Sequence, residues 1–409
     1  MKKIFIGLVL VVAIAVLFGV FFKEQNKDET VTIKFSSWGS QSETTVLKDI
    51  IDDYEAQNKN IKIDFIHIPQ NYFQKLQLLF ASGLEPDIVF INNQNIKMYI
   101  NAGLLEDLTS YLKNSQQDFF EEAIDCFTSN DKIYAIPRDI SNLVIYYNKD
   151  ILAKNNIKIE DLKTSADLIK IGSKLKNKNI YAINSEDLPL YWLYFLAANG
   201  GSALSDDAER ITINDEKSTA ALQFYSDLIN KYHYAPTKAE TGSMTTAQMF
   251  INKKIALYLG GRWMVPKFRE TIKFNWDVIE FPTTNENKLY IDASGWALTK
   301  KSKHKKEAAD FINYLASETS SNKFAKSGLI IPAEKKSAKM FINNEKEQLP
   351  KNSEAFINTI KKAKPTPVCE NYGAVNDILQ EKATAIFFAN KPPKEVFNKK
   401  TIKKLEDLL

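Results

Sequence analysis

The stretch VTIKFSSWGSQSETTVLKDIIDDY, residues 31–54, sets the fold class. Val31, Ile33 and Phe35 alternate with Thr32 and Lys34, the period of a strand with one face buried. Ser40 and Glu43 then stand at capping-box spacing, and Val46, Leu47, Ile50, Ile51 and Tyr54 recur on one face of a 3.6-residue period, so a helix starts directly after the strand. Ser36-Ser37-Trp38-Gly39 is the turn between them. The unit repeats: Ile61, Ile63 and Phe65 form a second strand, followed by a helix carrying Tyr72, Phe73, Leu76, Leu79 and Phe80. Pro86-Asp87-Ile88-Val89-Phe90-Ile91 is a short apolar run suited to a strand buried on both faces. Strands alternating with helices predict an α/β protein whose sheet is parallel or mostly parallel and covered on both sides.

The same character continues downstream. Segments around Tyr134 and over Leu143–Tyr147 read as strands linked through Pro137-Arg138-Asp139, and helices are predicted near 165–176, 189–198 and 216–232. Ile255–Leu259 is a strand running into Gly260-Gly261-Arg262-Trp263. Trp276–Ile279 and Trp296–Leu298 are further apolar runs, and the chain beyond about 303 is mainly helical. With 409 residues, 44% hydrophobic and 25% charged, the chain can bury more than one core, which favours two or three domains.

Composition excludes several functions. A net charge of +4 with lysines and acids interspersed gives no basis for nucleic-acid binding. The two cysteines, Cys126 and Cys369, and the three histidines, His67, His233 and His304, are too scattered for a disulfide framework or a metal site. No G-x-S-x-G, H-E-x-x-H, Walker A or G-x-G-x-x-G motif occurs, so no catalytic residue, metal or cofactor is assigned and a non-enzymatic role is expected. The lysine runs at 300–306 and 394–404 read as solvated faces.

At the amino end Lys2 and Lys3 precede an uncharged apolar run, Ile4 to Phe22, and residues 23–30 form a polar linker. The positive flank and apolar run are those of an export signal. Gly19-Val20-Phe21-Phe22 lacks a small-x-small cleavage pattern and no cysteine follows, so an uncleaved signal anchor is favoured over a removed signal peptide. Nineteen residues suffice to cross a bilayer. The bulk of the chain is then expected in the periplasm or on the outer face of the cytoplasmic membrane.

FSSWG (35–39), PDIVFINN (86–93), YAIPRDISNLVIYYNKD (134–150), INKKIALYLGGRWMV (251–265) and SGWALTKKSKHKKEAADFINYLAS (294–317), in this order, resemble the solute-binding proteins of ABC importers. The similarity is to the sugar-binding family that includes maltose-binding and glycerol-3-phosphate-binding proteins, and it covers about residue 30 to at least 335. It implies a monomer of two α/β lobes, a hinge crossed more than once, a ligand held between the lobes, and delivery to an ABC permease. On this chain the expected lobes are 31–138 with 291–332, and 139–290 with 333–409.

Open α/β sheets bind ligands at the carboxyl ends of their strands. That rule selects Trp38, Asn93, Gly261, Arg262 and Trp263, and the segment Ser294-Gly295-Trp296. A pyranose presents an apolar face and a rim of hydroxyls, so its site needs aromatic surfaces and a few placed polar groups. Trp38, Trp192, Trp263 and Trp296, with Tyr191 beside Trp192, supply the aromatic set; core packing is the competing reading of each. Only four arginines occur against fifty lysines, which singles out Arg138 and Arg262 as planar donors; an interlobe salt bridge or a helix-end contact is the alternative for both. Asp139 either accepts from sugar hydroxyls or pairs with Arg138, and Glu43 either meets the ligand or completes the capping box. The arginines also admit a phosphorylated polyol or a glycerophosphodiester as ligand. A membrane-anchored glycan hydrolase and a ligand-sensing ectodomain are the readings from other classes.

Overall fold

The computed structural model describes residues 30–113, 116–283, 289–345 and 348–409. The apolar run Ile4–Phe22 and nearly all of the linker lie outside the described residues.

Thirteen strands are described: β1 (Val31–Ser37), β2 (Ile61–His67), β3 (Ile88–Asn92), β4 (Thr128–Ser129), β5 (Lys132–Ile133), β6 (Ile136–Ser141), β7 (Leu143–Asn148), β8 (Tyr181–Ile183), β9 (Ile255–Gly261), β10 (Trp276–Glu280), β11 (Leu289–Leu298), β12 (Ile331–Pro332) and β13 (Ala363–Pro365). β1 buries Ile33 and Phe35 and exposes Thr32 and Lys34, as the alternation predicts. The helix Gln41–Gln57 starts on the expected capping box: the Glu43 amide donates to Ser40 Oγ at 3.3 Å, and Glu43 Oε2 accepts from the Ser40 amide at 2.9 Å. β3 buries all of Ile88–Ile91, because helices cover both of its faces.

The strands form two main sheets. The larger has the order β12-β6-β11-β3-β1-β2, with β13 also on β11, and the smaller has the order β10-β7-β9-β8. Each lies among helices, giving two lobes. The β1, β2 and β3 pairings are parallel, but β11 runs antiparallel to both β3 and β6, and β7 is antiparallel to β9 and β10. The mostly parallel sheet expected from the sequence is therefore a mixed one. β6 and β11 join the larger sheet at crossings between the lobes and not through a local strand-helix-strand unit, so the handedness rule that makes such units parallel does not act on them.

The chain leaves the larger sheet at Ser141 and enters the smaller at Leu143, with Asn142 alone between them. Asn142 is buried, and its Nδ2 donates to the Phe356 carbonyl at 2.6 Å. The chain returns between Glu280 and Leu289. Beyond β12, the helix Lys335–Glu345 packs against the helix Glu318–Ser327 and β12, whereas the helix Glu354–Ile360 packs on β7 and β10. Ala363–Pro365, expected in the second lobe, pairs with β11 in the larger sheet. The C-terminal segment thus touches both sheets, β13 pairing in the larger and the helix Glu354–Ile360 packing on the smaller.

Candidate functional site

A cavity of about 450 Å³ lies between the two sheets. From the larger sheet's lobe it is lined by Trp38, Gly39, Ser40 and Glu43 after β1, Pro69 after β2, Ser294 on β11, and Leu329, Ile330 and Ile331 entering β12. Arg138–Asn142 on β6 and at the crossing form its floor, and Arg262 and Trp263 close it from the end of β9. These are mostly carboxyl ends of strands, where the α/β rule places a ligand.

Arg138 organises the floor. Its guanidinium is buried, donating from Nε to Asp139 Oδ1 at 2.6 Å and from Nη2 to Glu43 Oε1 at 3.4 Å. It stacks over Phe90 at 4.8 Å and near Trp296 at 5.6 Å and Phe324 at 5.3 Å, all to ring centroids. Burial disfavours its charge, but Asp139 and Glu43 outweigh that and hold its pKa above the usual arginine value. Glu43 completes the capping box, and its side chain also lines the cavity. Asp139 Oδ1 additionally accepts from Ser294 Oγ at 2.7 Å, while no described side chain or amide donates to Oδ2.

Ser294 reaches the floor because of its neighbour. The pairing of β11 with β6 slips between Ser294 and Gly295, and a side chain at Gly295 would collide with the Ile136 carbonyl. Only glycine lets the two backbones approach this closely.

Trp38 is half-buried, braced by Phe73 at 5.6 Å and Phe90 at 5.2 Å. Trp263 is 37% exposed on the opposite wall. Arg262, beside it, turns inward and stacks over Phe341 at 4.7 Å. Of the sequence-selected residues, Trp38, Glu43, Arg138, Asp139, Arg262, Trp263 and Ser294 line this one cavity. Gly261 lies directly beneath Trp263 and adds no side chain.

The other sequence-selected residues do not meet it. Trp192 is fully buried, its Nε1 donating to the Asp187 carbonyl at 3.1 Å and its ring edge-on to Phe387. Trp296 is equally buried, edge-on to Phe35 and Phe90 in the core of the larger sheet. Both tryptophans are core residues, as the competing reading had it. Tyr191 is away from the cavity beside Tyr258, and burial pushes its hydroxyl pKa up to about 12. Asn93 is a clamp: its Nδ2 donates to Asp292 Oδ1 at 2.9 Å and its Oδ1 accepts from the Ala293 amide at 3.1 Å, tying the start of the helix Asn93–Asn101 to β11. Gly295 acts through strand spacing alone.

Of the lining residues, sequence reasoning did not select Gly39, Ser40, Pro69, Ile140, Ser141, Asn142 and Leu329–Ile331. Pro69 was within reach of the strand-end rule, since it follows β2. Leu329–Ile331 had no signal, because β12 is two residues long and too short to alternate.

A sequence model described as bacterial extracellular solute-binding protein matches residues 49–356. The chain is 24% identical over 320 residues to the multiple sugar-binding protein of Streptococcus mutans, spanning 73% of this chain and 74% of that one. Among solved structures it is similar to the ABC substrate-binding protein Lmo0181 from Listeria monocytogenes in complex with cycloalternan, with a TM-score of 0.80, 24% identity, and coverage of 92% and 97% of the two chains. It is also similar to UgpB from Mycobacterium tuberculosis in complex with glycerophosphocholine, with a TM-score of 0.79, 15% identity, and coverage of 92% and 98%. The family match takes in strands of both sheets and most of the residues facing the cavity between them: the chain belongs to the bacterial extracellular solute-binding proteins.

Proposed function

We propose that this protein captures a neutral sugar or oligosaccharide in the cavity between its lobes, outside the cytoplasm, and hands it to an ABC permease without chemically altering it. The observation that carries this reading is the pair of indoles, Trp38 and Trp263, facing one cavity from opposite lobes with the carboxylates of Glu43 and Asp139 and the hydroxyls of Ser40, Ser141 and Ser294 between them. Flat apolar walls with acceptors in the middle suit a ring with an apolar face and a hydroxyl rim. The S. mutans and L. monocytogenes proteins, one named for sugars and the other holding cycloalternan, support the same class of ligand.

Charge argues against the glycerophosphodiester alternative that the M. tuberculosis structure keeps in view. Among the described residues the two acids and two arginines lining the cavity balance, no lysine lines it, and both guanidiniums are buried in aromatic stacks. The lining therefore carries no net positive charge to draw in a phosphate. The lobe boundaries belong to the same proposal: the larger-sheet lobe takes in β6, the helix Lys335–Glu345 and β13, and rotation occurs where the chain crosses between sheets.

Isothermal titration of the folded protein with neutral α- and β-linked oligosaccharides, and separately with glycerophosphocholine, tests this. A neutral sugar is expected to bind. Trp263→Ala is expected to weaken it by about 1–3 kcal/mol, roughly tenfold to a hundredfold, as for a stacked aromatic anchor. Binding of the phosphodiester alone, or turnover of a chromogenic glycoside, would overturn the reading.

Closure is the second expected result. A ligand touching both lobes favours the closed population by its differential affinity for that state. Small-angle scattering should then give a smaller radius of gyration at saturation, and an unchanged profile with a sugar shown to bind would exclude closure.

A further inference from the structure

Gly261 ends a strand whose seven residues are all buried. Its backbone is fixed twice, by pairing opposite Leu143 on β7 and by the Tyr146 hydroxyl, which donates to the Gly261 carbonyl at 2.8 Å. Its dihedrals, φ −94° and ψ 176°, are ordinary extended backbone that any residue adopts, so conformation does not call for glycine here. Space does. A methyl carbon at Gly261 would fall inside contact distance of Cζ3, Cη2 and Cε3 of Trp263, the six-membered edge of the indole. The ring lies on the bare Cα of a backbone that cannot retreat, and the remainder of this 37% exposed side chain is what the cavity meets.

We infer that Gly261 is the positioning residue for Trp263: the absent side chain is the seat that holds the indole in the orientation it presents to the ligand. The inference rests on the carbohydrate reading of the cavity and adds to it the device that sets one of its two aromatic walls. A seated ring pays its ordering cost when the protein folds and not when ligand arrives, so the seat acts on affinity through preorganisation. Gly260 is a contrasting neighbour. A methyl there would strike the buried ring of Tyr258 instead, so consecutive glycines accommodate one core aromatic and one cavity aromatic.

The test is a cycle of Gly261→Ala, Trp263→Ala and the double variant, each titrated with a neutral oligosaccharide that binds the wild-type protein and each checked by thermal unfolding. Gly261→Ala is expected to displace the indole and to lose most of the roughly tenfold to hundredfold that Trp263→Ala loses. The double variant should bind no more weakly than Trp263→Ala, because once the ring is gone the methyl has nothing to displace; a merely structural role would make the two losses add. Wild-type affinity in Gly261→Ala beside a clear loss in Trp263→Ala overturns the inference and leaves the carbohydrate reading intact. Wild-type affinity in Trp263→Ala removes that wall from the site and with it the reading on which the inference rests. Should Gly261→Ala fail to fold, the double variant must fold, since it restores the room; failure of both would place the clash elsewhere than on Trp263 and overturn the inference.

Discussion

Arg138→Ala is expected to lower folding stability by about 3–5 kcal/mol, the range seen when one partner of a buried ion pair is removed. Arg138 is the positive member of a cluster whose acids are also withdrawn from solvent: the side chain of Asp139 is 7% exposed and that of Glu43 18%. Removing the guanidinium leaves Asp139 buried without its counter-charge and opens a void beside Phe90, Trp296 and Phe324. Arg138→Met separates the two effects, since it refills much of the void while leaving the charge uncompensated; it should recover only a minor part of the loss. Arg138→Lys keeps the charge but cannot bridge both acids with a planar fork, so it should fall between. Urea unfolding, read as a change in midpoint at constant slope, measures all three. A midpoint for Arg138→Met equal to wild type would show that the ion cluster does not depend on its arginine.

Trp192→Ala is expected to lose about 3–5 kcal/mol of stability, typical of emptying a buried tryptophan site, with unchanged ligand affinity per folded molecule. The indole fills the interior where the helix Pro189–Ala198 meets Phe387, and its Nε1 is satisfied within its own segment by the Asp187 carbonyl. No part of it reaches the cavity. The decisive measurement pairs a denaturation curve with a titration on protein shown to be folded. A drop in affinity with unchanged stability would return Trp192 to the binding site.

These two residues show where sequence was informative. The strand-helix rhythm of residues 31–91 and the capping box at Ser40 were legible because periodicity and capping are local properties, and the structure follows them closely. That Trp38 and Trp263 come to one cavity was legible because they stand one and two residues after a strand. Trp192 was misplaced although its segment, PLYWLYFLAA, carries no charged residue on any face, and a helix apolar all round is a buried one. Trp296 was misplaced for a subtler reason. The strand-end rule selected it, but β11 runs antiparallel to β3: Ser294 pairs with Asn92 at the carboxyl end of β3, whereas Trp296 pairs with Phe90 in mid-strand, so the indole lies one layer below the cavity, inside the core. Asn93 sits at a strand end as the rule requires, yet its amide reaches across to Asp292, a partner 199 residues away. Contacts of that range are not encoded in any window of the chain.

If the lobes close as proposed, Asn142 is one fulcrum of the motion, a single residue long, and the return between Glu280 and Leu289 is another. The displacement at the rim of a lever is its arm multiplied by the angle turned, and the arms would be entire lobes. A modest change in a few backbone torsions at these crossings would then move Trp263 relative to Trp38 much further than it moves Ser141 relative to Leu143. The bond from the Asn142 side chain to the Phe356 carbonyl ties that pivot to a helix packed on the smaller sheet, so torque applied at the rim is shared by a second part of the chain instead of being borne by one peptide alone.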